Sequence, residues 1–345
     1  MGFNETPLRV SESKNNTQRT SFESITELLK FPINGVDQWV LIRGNDINNP
    51  ILLYLHGGPG ASEMFNRAFQ SQLEEFYTVV NWDQRGAGKS YSRSIPLATM
   101  NIEQFISDTL ELIEVLRKRF KKDKIYLMGH SWGSLLGMLL INLRPELFTA
   151  YIGLGQVICF KTGEEISYHY TLEKARLVNN KKAINDLEKI GFPPYRNGVD
   201  YISIQRKWLS KFGGSTHRKK SLKSMKSTAI RVLTSKEYSL YDYIKFIKGI
   251  YFTLKRSTLL TELYQYDLFS LIPKVEIPVY FLAGRYDYCT PWELVEQYFN
   301  YVSSPKKELI WFEQSAHSPN IEERDLFCNV LINIVSNGTS NDRSE

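Results

Sequence analysis

The sequence predicts an α/β fold in which a mostly parallel central sheet carries helices on both faces and is interrupted by an inserted helical segment. Short apolar runs at residues 51–55, 77–82 and 125–128 alternate with stretches of helical periodicity. Such alternation is typical of a parallel sheet with helices on both sides. The alternation stops near Gly155 and resumes at residues 279–282, so we expect a mostly helical unit in between.

The strands and helices follow from local patterns in chain order. Strand-like runs at residues 24–33 and 36–43 are joined by Asn34 and Gly35, a strong hairpin signal because both turn residues need positive φ. The continuous apolar runs that follow are typical of strands covered on both faces. Apolar positions at helical spacing fill residues 102–119. The last elements are strands at 279–282 and 308–312 and helices at 292–301 and 323–334.

Three parts are expected from this pattern. Residues 1–21 are polar and predict a flexible tail. Residues 22–155 and 271–340 carry the alternating pattern and predict one α/β core, and residues 156–270 form the helical insertion.

Composition indicates an ordinary globular chain. Of 345 residues, 42% are hydrophobic and 23% charged, and no apolar run reaches the roughly 18 residues of a membrane-spanning helix. The N-terminus lacks the apolar stretch of a secretory signal. Cys159, Cys289 and Cys328 lack metal-ligand spacing and are most simply core residues in a reducing compartment. We therefore expect a cytoplasmic protein with no metal and no cofactor.

The net charge of +6 is unevenly spread. Residues 161–270 contain 21 Lys and Arg against 10 Asp and Glu, a net +11 that is densest at residues 218–226, and the remainder has −5. This segment is interpreted either as a solvated helix face or as a surface that attracts anionic ligands or a membrane. No reading motif accompanies the charge, so nucleic acid is not an expected partner.

A Gly-x-Ser-x-Gly motif, Gly-His-Ser-Trp-Gly at residues 129–133, lies between a predicted strand and an apolar run at 135–141. A serine at a strand-to-helix corner occupies a tight turn, and the glycines prevent side-chain collisions there. The hydroxyl of Ser131 then stands clear of the sheet, and the next helix aims backbone N–H groups at it. The motif indicates either a nucleophile elbow or a glycine-rich loop with a chance serine.

A serine nucleophile needs a base and a group that orients the base. His317 follows the last predicted strand, and Asp287 follows the strand before it. The carboxyl ends of parallel strands are where an open α/β sheet presents its functional residues. The chain order Ser131, Asp287, His317 is the one expected for an α/β-hydrolase sheet, so the three residues are predicted to act together.

An acyl-transfer site also needs donors for the oxyanion. One is the backbone N–H of the residue after the nucleophile, here Trp132, and the second comes from a loop after an early strand. His-Gly-Gly-Pro-Gly at residues 56–60 directly follows the strand 51–55 and provides backbone without side-chain obstruction.

The glycine-rich segment at residues 83–90, Asp-Gln-Arg-Gly-Ala-Gly-Lys-Ser, is not a phosphate loop. That pattern requires glycine five residues before Gly88, where this chain has Asp83. The longer glycine spacing of a dinucleotide-binding motif is also missing. We interpret the segment as a structural turn in which Arg85 is available to pair with a buried carboxylate near the site.

The motifs at residues 56–60, 83–86, 129–133 and 284–287 together resemble those of the prolyl aminopeptidase (proline iminopeptidase) family of α/β hydrolases. The resemblance spans roughly residues 22–155 and 271–335. It implies an α/β-hydrolase fold with the insertion as a helical cap, and it allows a cis Gly58–Pro59 bond. The roles it implies are nucleophile Ser131, base His317, orienting acid Asp287, oxyanion donors Gly58 and Trp132, and structural support from Gly57, Pro59 and Arg85.

The implied function is a serine hydrolase that forms an acyl-enzyme and releases N-terminal proline or small residues from short peptides. In this family, cap carboxylates hold the substrate amine, and none of the cap glutamates matches the family pattern. The available ones are Glu164, Glu165, Glu173, Glu237 and Glu262. The alternatives are a carboxylesterase with an apolar acyl pocket and a non-catalytic ligand-binding protein of the same fold. Epoxide and haloalkane hydrolases are disfavoured because they have Asp in place of Ser131.

Overall fold

The computed structural model describes residues 23–217 and 225–341, so the predicted tail and most of the basic stretch at 218–226 lie outside it. The described residues form one eight-stranded sheet. Its strands are β1 (Ile25–Ile33), β2 (Val36–Gly44), β3 (Ile51–Leu55), β4 (Thr78–Asp83), β5 (Ile125–His130), β6 (Phe148–Leu154), β7 (Val279–Gly284) and β8 (Lys307–Phe312).

The strand order across the sheet is β1-β2-β4-β3-β5-β6-β7-β8. The pairs β1–β2 and β2–β4 are antiparallel, and every pair from β4 to β8 is parallel. The predicted hairpin turn is present, with φ of 43° at Asn34 and 73° at Gly35. The prediction of a mostly parallel sheet is therefore confirmed.

Strand β6 was missed by the sequence analysis. Its sequence, Phe-Thr-Ala-Tyr-Ile-Gly-Leu, includes alanine and glycine, which weaken the β signal. The glycine has a packing reason: a Cβ atom at Gly153 would lie 2.2 Å from the Gln156 side-chain oxygen. The small residues that hide the strand in the sequence therefore allow a loop to pack against it.

Helices cover both faces of the sheet, as predicted. The bounds of the helices in the described residues are α1 (Ile102–Phe120), α2 (Trp132–Leu143), α3 (Phe160–Leu177), α4 (Lys181–Ile190), α5 (Gly198–Lys211), α6 (Met225–Thr234), α7 (Leu240–Arg256), α8 (Leu259–Leu263), α9 (Leu268–Leu271), α10 (Trp292–Tyr301), α11 (Pro319–Glu322) and α12 (Arg324–Asn341). None of these helices combines the length and apolarity that crossing a bilayer requires.

Alternate residues of the strands pack into two separate hydrophobic cores, one on each face of the sheet. Leu53 of β3 packs in the cluster that includes Leu112 of α1 and Leu136 of α2. Its neighbour Leu52 points to the other face, in the cluster that includes Leu331 of α12. This double coverage explains why the central strands read as continuous apolar runs.

Seven helices, α3 to α9, occupy the described part of the stretch between β6 and β7, and buried polar contacts attach them to the sheet. Tyr238 donates a hydrogen bond to Asp83 at the end of β4. The ammonium of Lys89 lies 2.7 Å from the carboxylate of Asp242 on α7. Asp83 is fully buried, and burial raises the pKa of its carboxyl despite donors from Ser62 and Tyr238.

Arg85 pairs with a buried carboxylate, as the turn interpretation allowed. Its Nε and one terminal nitrogen donate to Asp108 of α1 at 2.7 and 2.8 Å, and both side chains are buried. The same terminal nitrogen also donates to the backbone carbonyl of Asn34 in the hairpin turn. Arg85 thus joins the turn after β4 to α1 and β1–β2, and it does not line the cavity at Ser131.

Candidate active site

Ser131 occupies the corner between β5 and α2 with φ 54° and ψ −119°, a region that non-glycine residues rarely adopt. The two flanking glycines are required by close backbone approach. A Cβ at Gly129 would lie 2.3 Å from the carbonyl oxygen of Gly133, and one at Gly133 would lie 2.1 Å from that of Leu55. The turn is therefore strained and over-determined by its surroundings, as the elbow interpretation requires.

His317 and Asp287 lie at the ends of neighbouring strands and contact each other. The Nδ1 atom of His317 is 2.8 Å from the Asp287 carboxylate, which is 2% exposed. Asp287 also accepts hydrogen bonds from the backbone N–H groups of Cys289 and Thr290 and from the Thr290 hydroxyl. Burial would raise the pKa of this carboxyl, but His317 and Thr290 outweigh it and hold the pKa below its ordinary value. The ionised carboxylate of Asp287 is thus favoured, and it faces the Nδ1 atom of His317.

A glycine at the end of β6 makes room for this pair. Gly155 has a φ of 53°, and a Cβ there would lie 3.0 Å from the His317 ring and 3.4 Å from the Asp287 carboxylate. Its N–H donates to the carbonyl of Leu282 in β7. From the sequence, Gly155 marks only the point where the alternation stops. Because β6 was not predicted, the position of Gly155 at the end of that strand was not recognised.

The glycine loop after β3 faces the serine. A Cβ at Gly57 would lie 3.3 Å from the Cβ of Ser131, so a side chain at this position would crowd the serine. Gly58 has a φ of 124°, and the Gly58–Pro59 bond is cis. Trp132 is fixed by a 3.0 Å hydrogen bond from its indole N–H to the side-chain oxygen of Gln84. Gly58, Pro59, Ser131 and Trp132 all line one cavity.

That cavity, called the Ser131 cavity below, has a volume of about 370 Å³. Ser131 and His317 line it, and residues of the stretch between β6 and β7 form another part of its wall. Most of the lining side chains are apolar. They include Val157, Ile158, Phe160, Val199, Ile202, Leu254, Leu260, Leu263 and Leu294.

Two charged side chains in this wall face each other: Glu164 of α3 and Arg206 of α5. Arg206 donates to one carboxylate oxygen of Glu164. Burial disfavours the guanidinium charge, but Glu164 and Cys289 hold the pKa of Arg206 above its ordinary value. Glu164 is 2% exposed, and within the described residues its second carboxylate oxygen has no hydrogen-bond partner.

The other glutamates considered from the sequence, between β6 and β7, do not line the Ser131 cavity. Glu237 pairs with Arg67, and Glu262 accepts a hydrogen bond from the backbone N–H of Ile102. The structure therefore distinguishes Glu164 from Glu165, Glu173, Glu237 and Glu262, which the sequence did not.

A buried polar chain supports the loop that carries His317. The Nε2 atom of His130 lies 2.9 Å from the backbone carbonyl of His317, and its Nδ1 atom lies 2.8 Å from the carboxylate of Glu63. The hydroxyl of Tyr54 donates to the other oxygen of Glu63. Burial opposes the charge on Glu63, but His130 and Tyr54 outweigh it and lower the pKa of Glu63 to about 2. Both ring nitrogens of His130 therefore face oxygen atoms, one of Glu63 and one of the His317 backbone.

One cluster in the described residues brings three potential metal ligands together. Atoms of Asp287, Cys289 and His317 lie within 4.8 Å of one another. Asp287 and His317 already use these atoms on each other, so we assign no metal there. Of the three cysteines expected in the core, only Cys328 is buried, whereas Cys159 and Cys289 line the Ser131 cavity.

The fold and the site define an α/β hydrolase, and a model of the α/β hydrolase fold matches residues 50–190. A protein named "Probable aminopeptidase YbaC" from Bacillus subtilis is 37% identical over 314 residues, covering 90% of this chain and 96% of the relative. The chain belongs to the prolyl aminopeptidase (proline iminopeptidase) family of α/β hydrolases.

More distant relatives carry the name proline iminopeptidase. That of Heyndrickxia coagulans is 24% identical over 287 residues, covering 83% of this chain and 90% of its own length. The crystal structure of the proline iminopeptidase of Mycobacterium smegmatis superposes with a TM-score of 0.64 at 17% identity, covering 90% of this chain and 98% of that one. At this identity the structural match shows the shared fold.

Proposed function

We propose that this hydrolase is a serine aminopeptidase that releases N-terminal proline or another small residue from short peptides by way of an acyl-enzyme. The observation that carries the proposal is that Ser131, His317 and the buried carboxylate of Glu164 all line one cavity. The first two provide the chemistry of acyl transfer, and the third provides a partner for a free amine.

In the proposed mechanism, the Oγ atom of Ser131 attacks the carbonyl carbon of the first residue, and Nε2 of His317 accepts the hydroxyl proton. Asp287 on Nδ1 orients the ring and stabilises the imidazolium that forms. When the tetrahedral intermediate collapses, the C–N bond breaks and His317 gives the proton to the leaving amine. A water molecule, deprotonated by His317, then hydrolyses the ester on Ser131 and restores the serine hydroxyl.

The oxyanion of both tetrahedral intermediates needs two donors. We assign them to the backbone N–H groups of Gly58 and Trp132. Both residues line the cavity beside Ser131, and Trp132 begins α2, where the first N–H groups have no acceptor within the helix. Gly57 and Pro59 are assigned to the structure of the loop that presents Gly58.

Substrate selection is assigned to residues 156–270, acting as a cap over the core. The second carboxylate oxygen of Glu164, which has no partner among the described residues, accepts the ammonium of the substrate, and Arg206 orients the carboxylate by donating to its other oxygen. The apolar side chains around it suit a pyrrolidine ring or a small aliphatic side chain. A cavity of about 370 Å³ suits one such residue and the peptide bond that follows it.

The test compares hydrolysis of proline, alanine and leucine naphthylamides with that of short-chain nitrophenyl esters. We expect amide hydrolysis by the native protein and a KM for the free-amine amides raised about 10- to 100-fold in Glu164→Gln, since one hydrogen bond to a charged group is lost. Ester hydrolysis, which needs no amine contact, changes little. The matched control is Glu173→Gln, an exposed position on the same helix.

The alternative is a carboxylesterase, favoured by the mostly apolar lining of the cavity. If the native protein hydrolysed the esters but none of the amides, the protein would be a carboxylesterase and the peptidase assignment would be wrong. Equal effects of Glu164→Gln and Glu173→Gln on the amides would remove Glu164 from the substrate site. Thermal unfolding of both variants shows whether the fold is kept.

A further inference from the structure

A second cavity, called the basic cleft below, lies outside the Ser131 cavity and has a volume of about 610 Å³. Its walls come from the β1–β2 hairpin, from the turn after β4 and from α7. Within the described residues, it shares no lining residue with the Ser131 cavity. The proposed peptidase mechanism does not use it.

The basic cleft is strongly positive. Its lining cations, within the part of the chain that the structure describes, are Lys30, Lys89, Arg93, Lys245 and Lys248, and its lining carboxylate is Asp37. Asp37 is 2.7 Å from Lys30, and Asp242 is 2.7 Å from Lys89, so these two lysines are compensated. No ion pair to a described residue compensates Arg93, Lys245 or Lys248.

The position of Lys245 concentrates this charge. Its ammonium donates to the backbone carbonyl of Lys89, so these two cleft lysines are neighbours. Burial lowers the pKa of Lys245, Asp242 works in the opposite direction, and Lys89 lowers it further. A bound anion would offset the cost of burying the charged ammonium of Lys245 and would reduce the repulsion between the two lysines.

A phosphate group fits these features better than a carboxylate does. One cation suffices to neutralise a carboxylate, whereas the three cations that have no ion pair to a described residue match a phosphate with up to two charges and three acceptor oxygens. The cleft is also larger than one phosphate, so the ligand carries a further substituent. Tyr241 and Ile244 of α7 line the same cleft and are 70% and 44% exposed, which provides apolar surface for that substituent.

We propose that the basic cleft binds a phosphate group, carried either by a soluble phosphorylated compound or by an anionic lipid headgroup. Arg93, Lys245 and Lys248 supply the charge, and Tyr241 and Ile244 contact the attached group. Of these cations, Lys245 and Lys248 belong to the basic segment 161–270.

The test measures binding without turnover, so its outcome is independent of the peptidase proposal. Calorimetry with pyrophosphate tests the soluble source, and co-sedimentation with phosphatidylglycerol vesicles, against phosphatidylcholine vesicles, tests the lipid source. The cleft variant is Arg93→Gln with Lys248→Gln, since both side chains are exposed and their loss leaves the fold intact. The charge-matched control is Lys182→Gln with Lys189→Gln, exposed on α4.

We expect binding of at least one probe to weaken tenfold or more in the cleft variant and to stay unchanged in the control. Pyrophosphate binding with this pattern identifies a soluble phosphate ligand, and vesicle binding with this pattern identifies a lipid headgroup. The proposal is overturned if the native protein binds neither probe, or if the two double variants lose binding equally.

Discussion

The imidazole of His130 lies 2.9 Å from the backbone carbonyl oxygen of His317, so the residue before the serine supports the loop of the proposed base. His130 is in turn held by Glu63, whose loop follows β3. The loops that carry Glu63 and His317 are therefore joined to the end of β5 by one buried polar chain. Such a chain holds the His317 loop next to the end of β5, and its members Tyr54, Glu63 and His130 do not line the Ser131 cavity.

The first prediction concerns His130 as a positioning residue. His130→Ala removes the support of the His317 carbonyl, and we expect kcat to fall about 10- to 100-fold, because small misplacements of a base are costly. KM should change little, since Glu164 and the apolar wall are untouched. Steady-state kinetics on proline naphthylamide provide the measurement. A kcat within twofold of the native value in a folded variant would contradict this role.

The second prediction concerns acid stability. The pKa of Glu63 is about 2 in the fold and 4.5 ordinarily, so its stabilising contribution is complete above about pH 4.5 and is lost as the pH falls toward 2. In Glu63→Gln the free energy of unfolding should therefore fall less steeply between pH 5 and pH 2. Urea denaturation across this range gives the two slopes. Parallel curves for the native protein and the variant would count against a lowered pKa of Glu63 in the fold.

The third prediction concerns Asp287. Asp287→Asn removes the charge and allows the wrong His317 tautomer, and we expect kcat to fall on the order of 10⁴-fold, as in serine triads generally. The hydrogen bonds from Cys289 and Thr290 reach an oxygen that asparagine keeps, so the fold should persist. Kinetics and circular dichroism together provide the check. Activity within tenfold of native would exclude Asp287 as the orienting acid.

The fourth prediction concerns the elbow. In Gly133→Ala the new Cβ meets the Leu55 carbonyl oxygen at 2.1 Å, so β3 and α2 must separate at a cost of about 1–3 kcal/mol or more. Gly163→Ala is the matched control, because its nearest contact is an ordinary 3.5 Å within a helix. The control should be neutral or stabilising by up to about 1 kcal/mol. Equal melting temperatures for the two variants would refute the packing argument.

The sequence was sufficient to predict the residues that follow strands. Ser131, Asp287 and His317 each come directly after an apolar run, and the carboxyl ends of parallel strands meet at one edge. The positions of these three residues after their strands therefore indicated that they lie close together in the fold. The contact of His317 with Asp287, and the position of Ser131 and His317 in one cavity, therefore follow from the order of the strands.

Residues brought together from separate helices could not be paired from the sequence. Glu164 lies on α3 and Arg206 on α5, and no local pattern relates the two. Arg85 was expected to pair with a carboxylate, but the sequence did not show which one. Its partner Asp108 lies in the middle of α1, a helix that was predicted from the spacing of its apolar residues. Tertiary packing, which local periodicity does not encode, decides such pairs.

The central claim is that Ser131 is a nucleophile, and an active-site-directed fluorophosphonate tests it most directly. Intact-mass and peptide analysis of the native protein should show one adduct, located on Ser131, and Ser131→Ala should show none. A native protein that stays unlabelled, or a Ser131→Ala variant labelled to the same extent as the native protein, would contradict the account.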